Sequence, residues 1–164
     1  MLKRVAAACV AGALGTLLWT GEAKADVHGF SWGHATLNGG PRFASDDLEF
    51  GMGLNVGYTL GMGLYLGGLF DYFFDHDGLD VWFAGFDCGY DIGIGNKFVI
   101  RPSGGPAFAT LNFRRDDDTR FAWLMGANFI VALDKLTLGG EVKYWWTEHN
   151  FDGVWVGFNI GVVF

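Results

Sequence analysis

Apolar residues alternate with small or polar residues over much of this chain. The segment 154–164 shows the pattern most clearly, and its apolar positions are Val154, Val156, Phe158, Ile160, Val162 and Phe164. A period of two places successive side chains on opposite faces of a strand. The pattern therefore predicts a strand with one wholly apolar face, which is typical of a strand that faces lipid.

The same alternation recurs in six further segments. They predict strands over 50–60, 64–74, 82–94, 98–109, 121–132 and 136–146. An eighth strand is predicted over Val27–Leu37, with Phe30 and Trp32 on its apolar side. Pro102 and Pro106 predict distorted or missing ladder hydrogen bonds in their strand, because proline has no backbone N–H to donate.

The links between the predicted strands alternate in length. Four are long and polar, at 38–48, 75–80, 112–120 and 148–152, and three are short, at 61–63, 95–97 and 134–135. Short turns on one side and long loops on the other are the pattern of outer-membrane barrels. Eleven tilted strand residues span about 28 Å, enough for the apolar band. The fold class predicted is all-β, an eight-stranded antiparallel up-and-down transmembrane barrel.

The composition of the second face indicates which side of the barrel meets lipid. That face is rich in glycine and carries few charges, whereas water-facing surfaces carry many Lys and Glu residues. We therefore expect the apolar face, including Cys88, to point outward. Aromatic residues near strand ends are expected at the two membrane interfaces; they are Trp82, Tyr90, Trp123, Tyr144 and Trp146.

The first residues of the chain predict a secretory signal peptide. Lys3 and Arg4 precede an uncharged apolar run, Val5–Trp19, and Ala23 and Ala25 are small residues of the kind that a leader peptidase reads. Cleavage is expected after the second of these alanines.

Such cleavage would divide the chain into a signal peptide, 1–25, and a barrel, 26–164. The barrel keeps eight basic and seventeen acidic residues, a net charge of −9, which argues against nucleic acid as a partner. It contains no run of 18 apolar residues that could form a spanning helix. A closed barrel is the other structure that can cross a membrane.

The leader with Ala23-Lys24-Ala25, the alternating strands and the closing sequence GFNIGVVF resemble the small outer-membrane barrels grouped around OmpA and OmpX. This resemblance covers the whole predicted barrel. It implies a monomer in the outer membrane of a Gram-negative envelope, in contact with lipid and lipopolysaccharide. It also implies a strand that the barrel-assembly machinery recognises, formed by Phe158, Ile160, Val162 and Phe164. A structural or surface-interaction role without a cofactor is expected.

Six charged residues are predicted to point into the barrel: Asp71, Asp87, Asp91, Arg101, Glu141 and Lys143. Charges in so confined a space should pair or hold water. We expect Arg101 to pair with an aspartate and Lys143 with an acid on a neighbouring strand. The main hypothesis is a polar plug, because eight strands leave an interior that side chains fill. A narrow cation-selective pore is the alternative.

A second alternative is a lipid-A-modifying hydrolase. His34 and Thr36 share one strand face, and their spacing is similar to that of the His and Ser of outer-membrane lipid A deacylases. A nucleophile needs a base within hydrogen-bond reach, but no acidic third partner is evident, so no catalytic residue is assigned. The carboxylates of 75–80 lack the spacing of a calcium loop, and no metal site is predicted.

Overall fold

The computed structural model describes residues 31–44, 47–74, 80–112, 117–147 and 152–164. These ranges form nine strands: β1 Trp32–Ala44, β2 Asp47–Thr59, β3 Leu64–Phe74, β4 Asp80–Tyr90, β5 Ile92–Ile94, β6 Phe98–Asn112, β7 Asp117–Leu133, β8 Leu136–Thr147 and β9 Gly153–Val163. The predicted signal peptide, with Ala23 and Ala25, lies outside the described residues. Within those ranges, no helix is long and apolar enough to cross a membrane.

The strands close into one barrel. Each strand pairs antiparallel with the next, and β1 pairs with β9 as well as with β2. The short β5 continues β4, because both pair with β6 in a single register that includes Gly89 opposite Ser103 and Ile92 opposite Ile100. β4 and β5 therefore count as one interrupted strand, and the barrel has eight strands. The predicted fold class is confirmed.

The two prolines of β6 interrupt its ladder with β4. No residue pair forms at Pro106 or Pro102, which lie level with Phe86 and Tyr90. Proline offers no N–H to the ladder, so the expected gaps are confirmed. The prediction of one unbroken strand over 82–94 is wrong, since the strand divides at Asp91 beside the second gap.

The first strand differs from the prediction. β1 runs to Ala44 and pairs with β2 as far as Asp47, so the predicted loop over 38–48 is mostly strand. The run Asn38 to Pro41 looks like a turn in sequence. In the barrel, a Cβ on Gly40 would collide with the backbone of Val156, so glycine there allows close strand approach.

Trp32 faces inward, and its predicted outward position is wrong. It is 5% exposed and pairs with Thr59, another inward residue. Its indole N–H donates to Asp91 Oδ2 over 3.2 Å. An apolar side chain alone does not identify the lipid face here, because the interior also contains aromatic residues.

The outer wall of the remaining strands is apolar, as the alternation predicted. Phe158 and Phe86 are 81% and 75% exposed, whereas Trp145 and Trp155 on the inward face have no exposed surface. Cys88 is also exposed on the outer wall. Four of the five expected interface aromatics are exposed, at Tyr90, Trp123, Tyr144 and Trp146. The alternation thus separates a wall from a core.

A charge at the middle of this wall should destabilise the barrel in lipid. Val142 lies at the centre of β8 on the outer face. We expect Val142→Arg to lower the free energy of unfolding by about 2–4 kcal/mol, measured by denaturant titration in lipid vesicles. The matched control is Leu136→Arg at the end of the same strand, with an expected cost of about 0–1 kcal/mol. Equal costs at the two positions would contradict a wall that spans hydrocarbon.

Candidate functional site in the barrel interior

The interior charges lie at three levels between two rims. The turn rim carries the connections 60–63, 95–97 and 134–135, and the loop rim is the opposite end of the barrel. Asp71, Asp87, Arg101, Glu141 and Lys143 are buried inside the barrel, and the side chain of Asp91 is 6% exposed. The structure thus brings all six side chains that the sequence pointed inward into one enclosed space.

The lower level, nearest the turn rim, is built on a two-pronged ion pair. Arg101 Nε lies 2.5 Å from Asp91 Oδ1, and its Nη2 lies 2.9 Å from Oδ2. The Thr59 hydroxyl donates to Asp91 over 2.7 Å, and the Trp32 indole donates to the same oxygen. Charge-assisted bonds in this fork geometry are strong and directional, so they fix the side chains of three strands.

Arg101 also organises the ring side chains around it. Its guanidinium lies 3.7 Å from the centre of the Tyr65 ring, and its Nη1 lies 2.7 Å from His34 Nε2. His34 and Thr36 are both buried in the interior. The histidine therefore contacts a cation rather than the threonine hydroxyl, and neither residue reaches the outer wall. This placement does not favour the hydrolase hypothesis.

The middle level is centred on Lys143. Its Nζ lies 3.2 Å from Asp71 Oδ2 and 3.2 Å from Glu141 Oε1, and the Asn55 amide donates to Glu141 Oε2 over 3.4 Å. Asp71 belongs to β3, which lies across the barrel from β8, so the expectation of a partner on a neighbouring strand is wrong. A lysine stem is long enough to cross so narrow an interior. Gly53 leaves room for the carboxylate, since a Cβ there would overlap Asp71.

The upper level, nearest the loop rim, contains an ion pair that the sequence analysis missed. Arg42 Nη1 lies 2.5 Å from Glu49 Oε2, and the guanidinium lies 5.1 Å and 5.4 Å from the ring centres of Phe73 and Phe83. The pair was missed because 38–48 was predicted as a loop. The sequence nevertheless contained a pattern that indicates Arg42, because this residue continues the alternation of β1 on the inward side.

Aromatic rings fill the space around this upper pair. Phe83 stacks on Trp145 with ring centres 4.2 Å apart, and Phe73 meets Trp155 edge to face at 5.1 Å. Small aliphatic residues complete the same cluster. Side chains therefore occupy the lumen at this level, as expected for a barrel of eight strands.

The four residues of the predicted assembly signal lie on the outer face at the end of the chain. Phe158 and Ile160 are exposed on β9, and Phe164 exchanges two backbone hydrogen bonds of 2.9 Å with Gly33. β9 closes the barrel by pairing with β1 and β8. Recognition of Phe158, Ile160, Val162 and Phe164 by assembly machinery stays a prediction.

No group of three or more His, Cys, Asp or Glu side chains in the described ranges is placed to hold a metal ion directly. The carboxylate oxygens of the interior are instead spread over three levels, and they accept hydrogen bonds mainly from Arg, Lys, Thr, Ser and Asn side chains. The arrangement can hold charge in place and can exclude large solutes.

Solved structures share this fold, although no protein-family model and no curated protein matches the sequence. Neisserial surface protein A matches with a TM-score of 0.65 and 11% identity, over 80% of this chain and 96% of its own. The N-terminal barrel of Pseudomonas aeruginosa OprF matches with a TM-score of 0.63 and 15% identity, over 80% and 99%. The outer-membrane enzyme PagL matches with a TM-score of 0.50 and 12% identity, over 77% and 98%. The chain thus has the fold of the small eight-stranded outer-membrane barrels, as the resemblance in sequence implied.

Removing the central cation should strongly destabilise the barrel. Lys143→Met leaves Asp71 and Glu141 buried without their cation, and we expect a loss of about 3–5 kcal/mol in the free energy of unfolding, measured by denaturant titration in detergent. The double variant Lys143→Met with Asp71→Asn should recover part of that loss. Lys135→Met, in an exposed turn, is the matched control and should unfold like the original protein. A Lys143→Met protein as stable as this control would contradict a structural role for the pair.

Proposed function

We propose that the protein is an integral outer-membrane barrel with a plugged interior and a structural or surface-interaction role. The contrast between its two faces carries this proposal. The outer wall exposes large apolar side chains on the strands from β2 to β9, while the inward face holds the ion pairs. Such a wall is unfavourable in water and suits hydrocarbon, which a closed barrel can cross with all its backbone groups paired.

Export and assembly follow from the same proposal. The leader 1–25 would direct the chain across the inner membrane, with cleavage after Ala25. The outer face of β9 would then be read by the barrel-assembly machinery, and the finished monomer would contact outer-membrane lipid and lipopolysaccharide. Neisserial surface protein A shares the fold and bears a name that places it at the cell surface. That likeness supports a role at the loop rim.

The loop rim has its own polar contacts. The Thr147 backbone N–H donates to Asp152 Oδ1 over 2.8 Å, and the Tyr144 hydroxyl donates to Oδ2 over 3.2 Å. Arg120 pairs with Asp118 on β7. Partly exposed charges of this kind contribute little stability. The proposal places contact with lipopolysaccharide or another surface at this polar rim.

Cysteine labelling on whole cells tests both location and orientation. Thr119→Cys at the loop rim and Asn96→Cys at the turn rim form a matched pair of exposed sites, introduced beside Cys88→Ser. A membrane-impermeant maleimide should label Thr119→Cys on intact cells and Asn96→Cys only after the outer membrane is permeabilised. Labelling of Asn96→Cys alone on intact cells would reverse the orientation, and equal labelling of both would contradict the location.

Conductance tests the plug against the narrow pore. We expect purified barrels in a planar bilayer to show no resolvable channel steps, because Phe73, Trp145 and Trp155 occupy the lumen. Heat-modifiable migration of the same sample on a gel checks that the barrels are folded. Steps selective for cations would support the pore instead.

We propose no enzymatic activity. PagL shows that a barrel of this fold can be an enzyme. In this chain, however, His34 contacts Arg101 inside the barrel, and Thr36 is buried on the same inward face. A lipid substrate on the outer wall cannot reach these atoms through β1, the strand that carries them.

A further inference from the structure

A groove crosses the outer wall of the barrel from β2 to β7. Its volume is about 690 Å³, which is within the range of small-molecule sites. The described residues that line it are apolar throughout, with Leu54 and Phe121 on the outermost of the strands it crosses. An empty space of this size would forfeit dispersion contacts along its whole lining, so an apolar group should fill it in a membrane.

The strand pairing shows the direction of the groove. One row of directly paired residues crosses five adjacent strands beside it: Leu54, Phe70, Ala84, Phe108 and Phe121. Four spacings of about 4.8 Å between neighbouring strands give this row a length of about 19 Å. The groove is therefore long and narrow, and it runs across the strands rather than along them.

Small residues form the floor of the groove, and phenylalanine rings form its sides. Gly68 pairs with Phe86, while Ala84 lies between Phe70 on β3 and Phe108 on β6. A Cβ on Gly68 would meet no atom of another strand nearer than 3.8 Å, so the space outside this glycine is open. Phe86 and Phe108 are 75% and 58% exposed, which shows that their rings stand above the floor. A slender chain can lie between such rings, whereas a broad surface cannot reach the floor.

The groove lies in one half of the wall. Phe121 is the fifth residue of β7, which begins at the loop rim, and Leu54 is the eighth of the thirteen residues of β2. The groove thus descends from near the loop rim to about the middle of the barrel. With strands tilted by about 40°, a row of this length descends by about 12 Å. One leaflet of a bilayer has about 15 Å of hydrocarbon, so the groove fits within a single leaflet.

We propose that this groove holds one acyl chain of lipid A, the membrane anchor of lipopolysaccharide. The inference rests on the outer-membrane location proposed above, in which the loop rim faces outward and this half of the wall lies in the outer leaflet. Lipid A in that leaflet carries saturated chains, which are slender and straight enough to lie along the floor. A second copy of the barrel fits less well, because its convex wall would meet the phenylalanine rings before it reached Gly68.

Lipid retention tests the groove. The full barrel is refolded into vesicles of dioleoyl phosphatidylcholine that contain equal minor amounts of lipid A and dipalmitoyl phosphatidylcholine. It is then extracted into mild detergent, and native mass spectrometry counts the lipids that stay bound. We expect a single lipid A per barrel and little of either phospholipid. Gly68→Leu fills the floor and displaces about two methylene groups of the chain, so it should lower lipid A retention about tenfold.

The matched control is Gly39→Leu on the outer wall of β1. A Cβ on Gly39 also first meets a backbone oxygen at 3.8 Å, so both variants add the same side chain at an open position of a strand. Gly39→Leu should retain lipid A like the original protein. If Gly68→Leu does not give the heat-modifiable migration of a folded barrel, Ala84→Phe replaces it as the variant that blocks the groove.

Three results would overturn the inference. Loss of lipid A from the original barrel as readily as phosphatidylcholine would mean that the groove contains only exchanging lipid. Equal losses in Gly68→Leu and Gly39→Leu would place the bound lipid elsewhere on the wall. Equal retention of dipalmitoyl phosphatidylcholine and lipid A would make the groove a site for any saturated chain. Each of these leaves the proposed location intact, whereas a barrel that does not enter the vesicles would contradict the location and the groove together.

Discussion

Closure of eight strands leaves a lumen that is only as wide as the side chains that fill it, and the rest of the structure follows from this constraint. Inside the barrel, large aromatic side chains lie over glycine residues. The ring of Tyr65 covers Gly57 and Gly67, and the ring of Phe73 covers Gly51, so a Cβ at any of these glycines would overlap a ring. The glycine-rich inward face is thus the space that the aromatic residues occupy.

Because the lumen is narrow, the buried cations pack directly against aromatic rings. Arg101 lies over the Tyr65 ring, and Lys143 lies 4.5 Å from the centre of the Trp155 ring. A cation over a ring face gains electrostatic attraction as well as contact, and more so where water is excluded. Each buried cation therefore closes part of the lumen while it neutralises an acid. This arrangement explains why a polar interior can act as a plug.

The strands from Phe50 onward could be predicted because their alternation is strong and nearly continuous, and a strand's period of two does not depend on its neighbours. Two parts of β1 could not. Trp32 is apolar but inward, since an interior rich in rings accepts it. Asn38 to Pro41 resemble a turn, although unbroken pairing with β2 keeps them extended. The ion pair of Arg42 with Glu49 was lost with that error.

The sequence by itself determined the number of barrel strands from Phe50 onward and the face on which each of their residues lies. It also determined the six charged residues that point into the interior. The tertiary structure decided which charges meet. Lys143 reaches Asp71, 72 residues away and on the opposite wall, while Asp87 accepts a hydrogen bond from the Ser103 hydroxyl. Face parity is a property of a single strand, whereas contact across the lumen depends on the register of every pair of strands around the closed circuit.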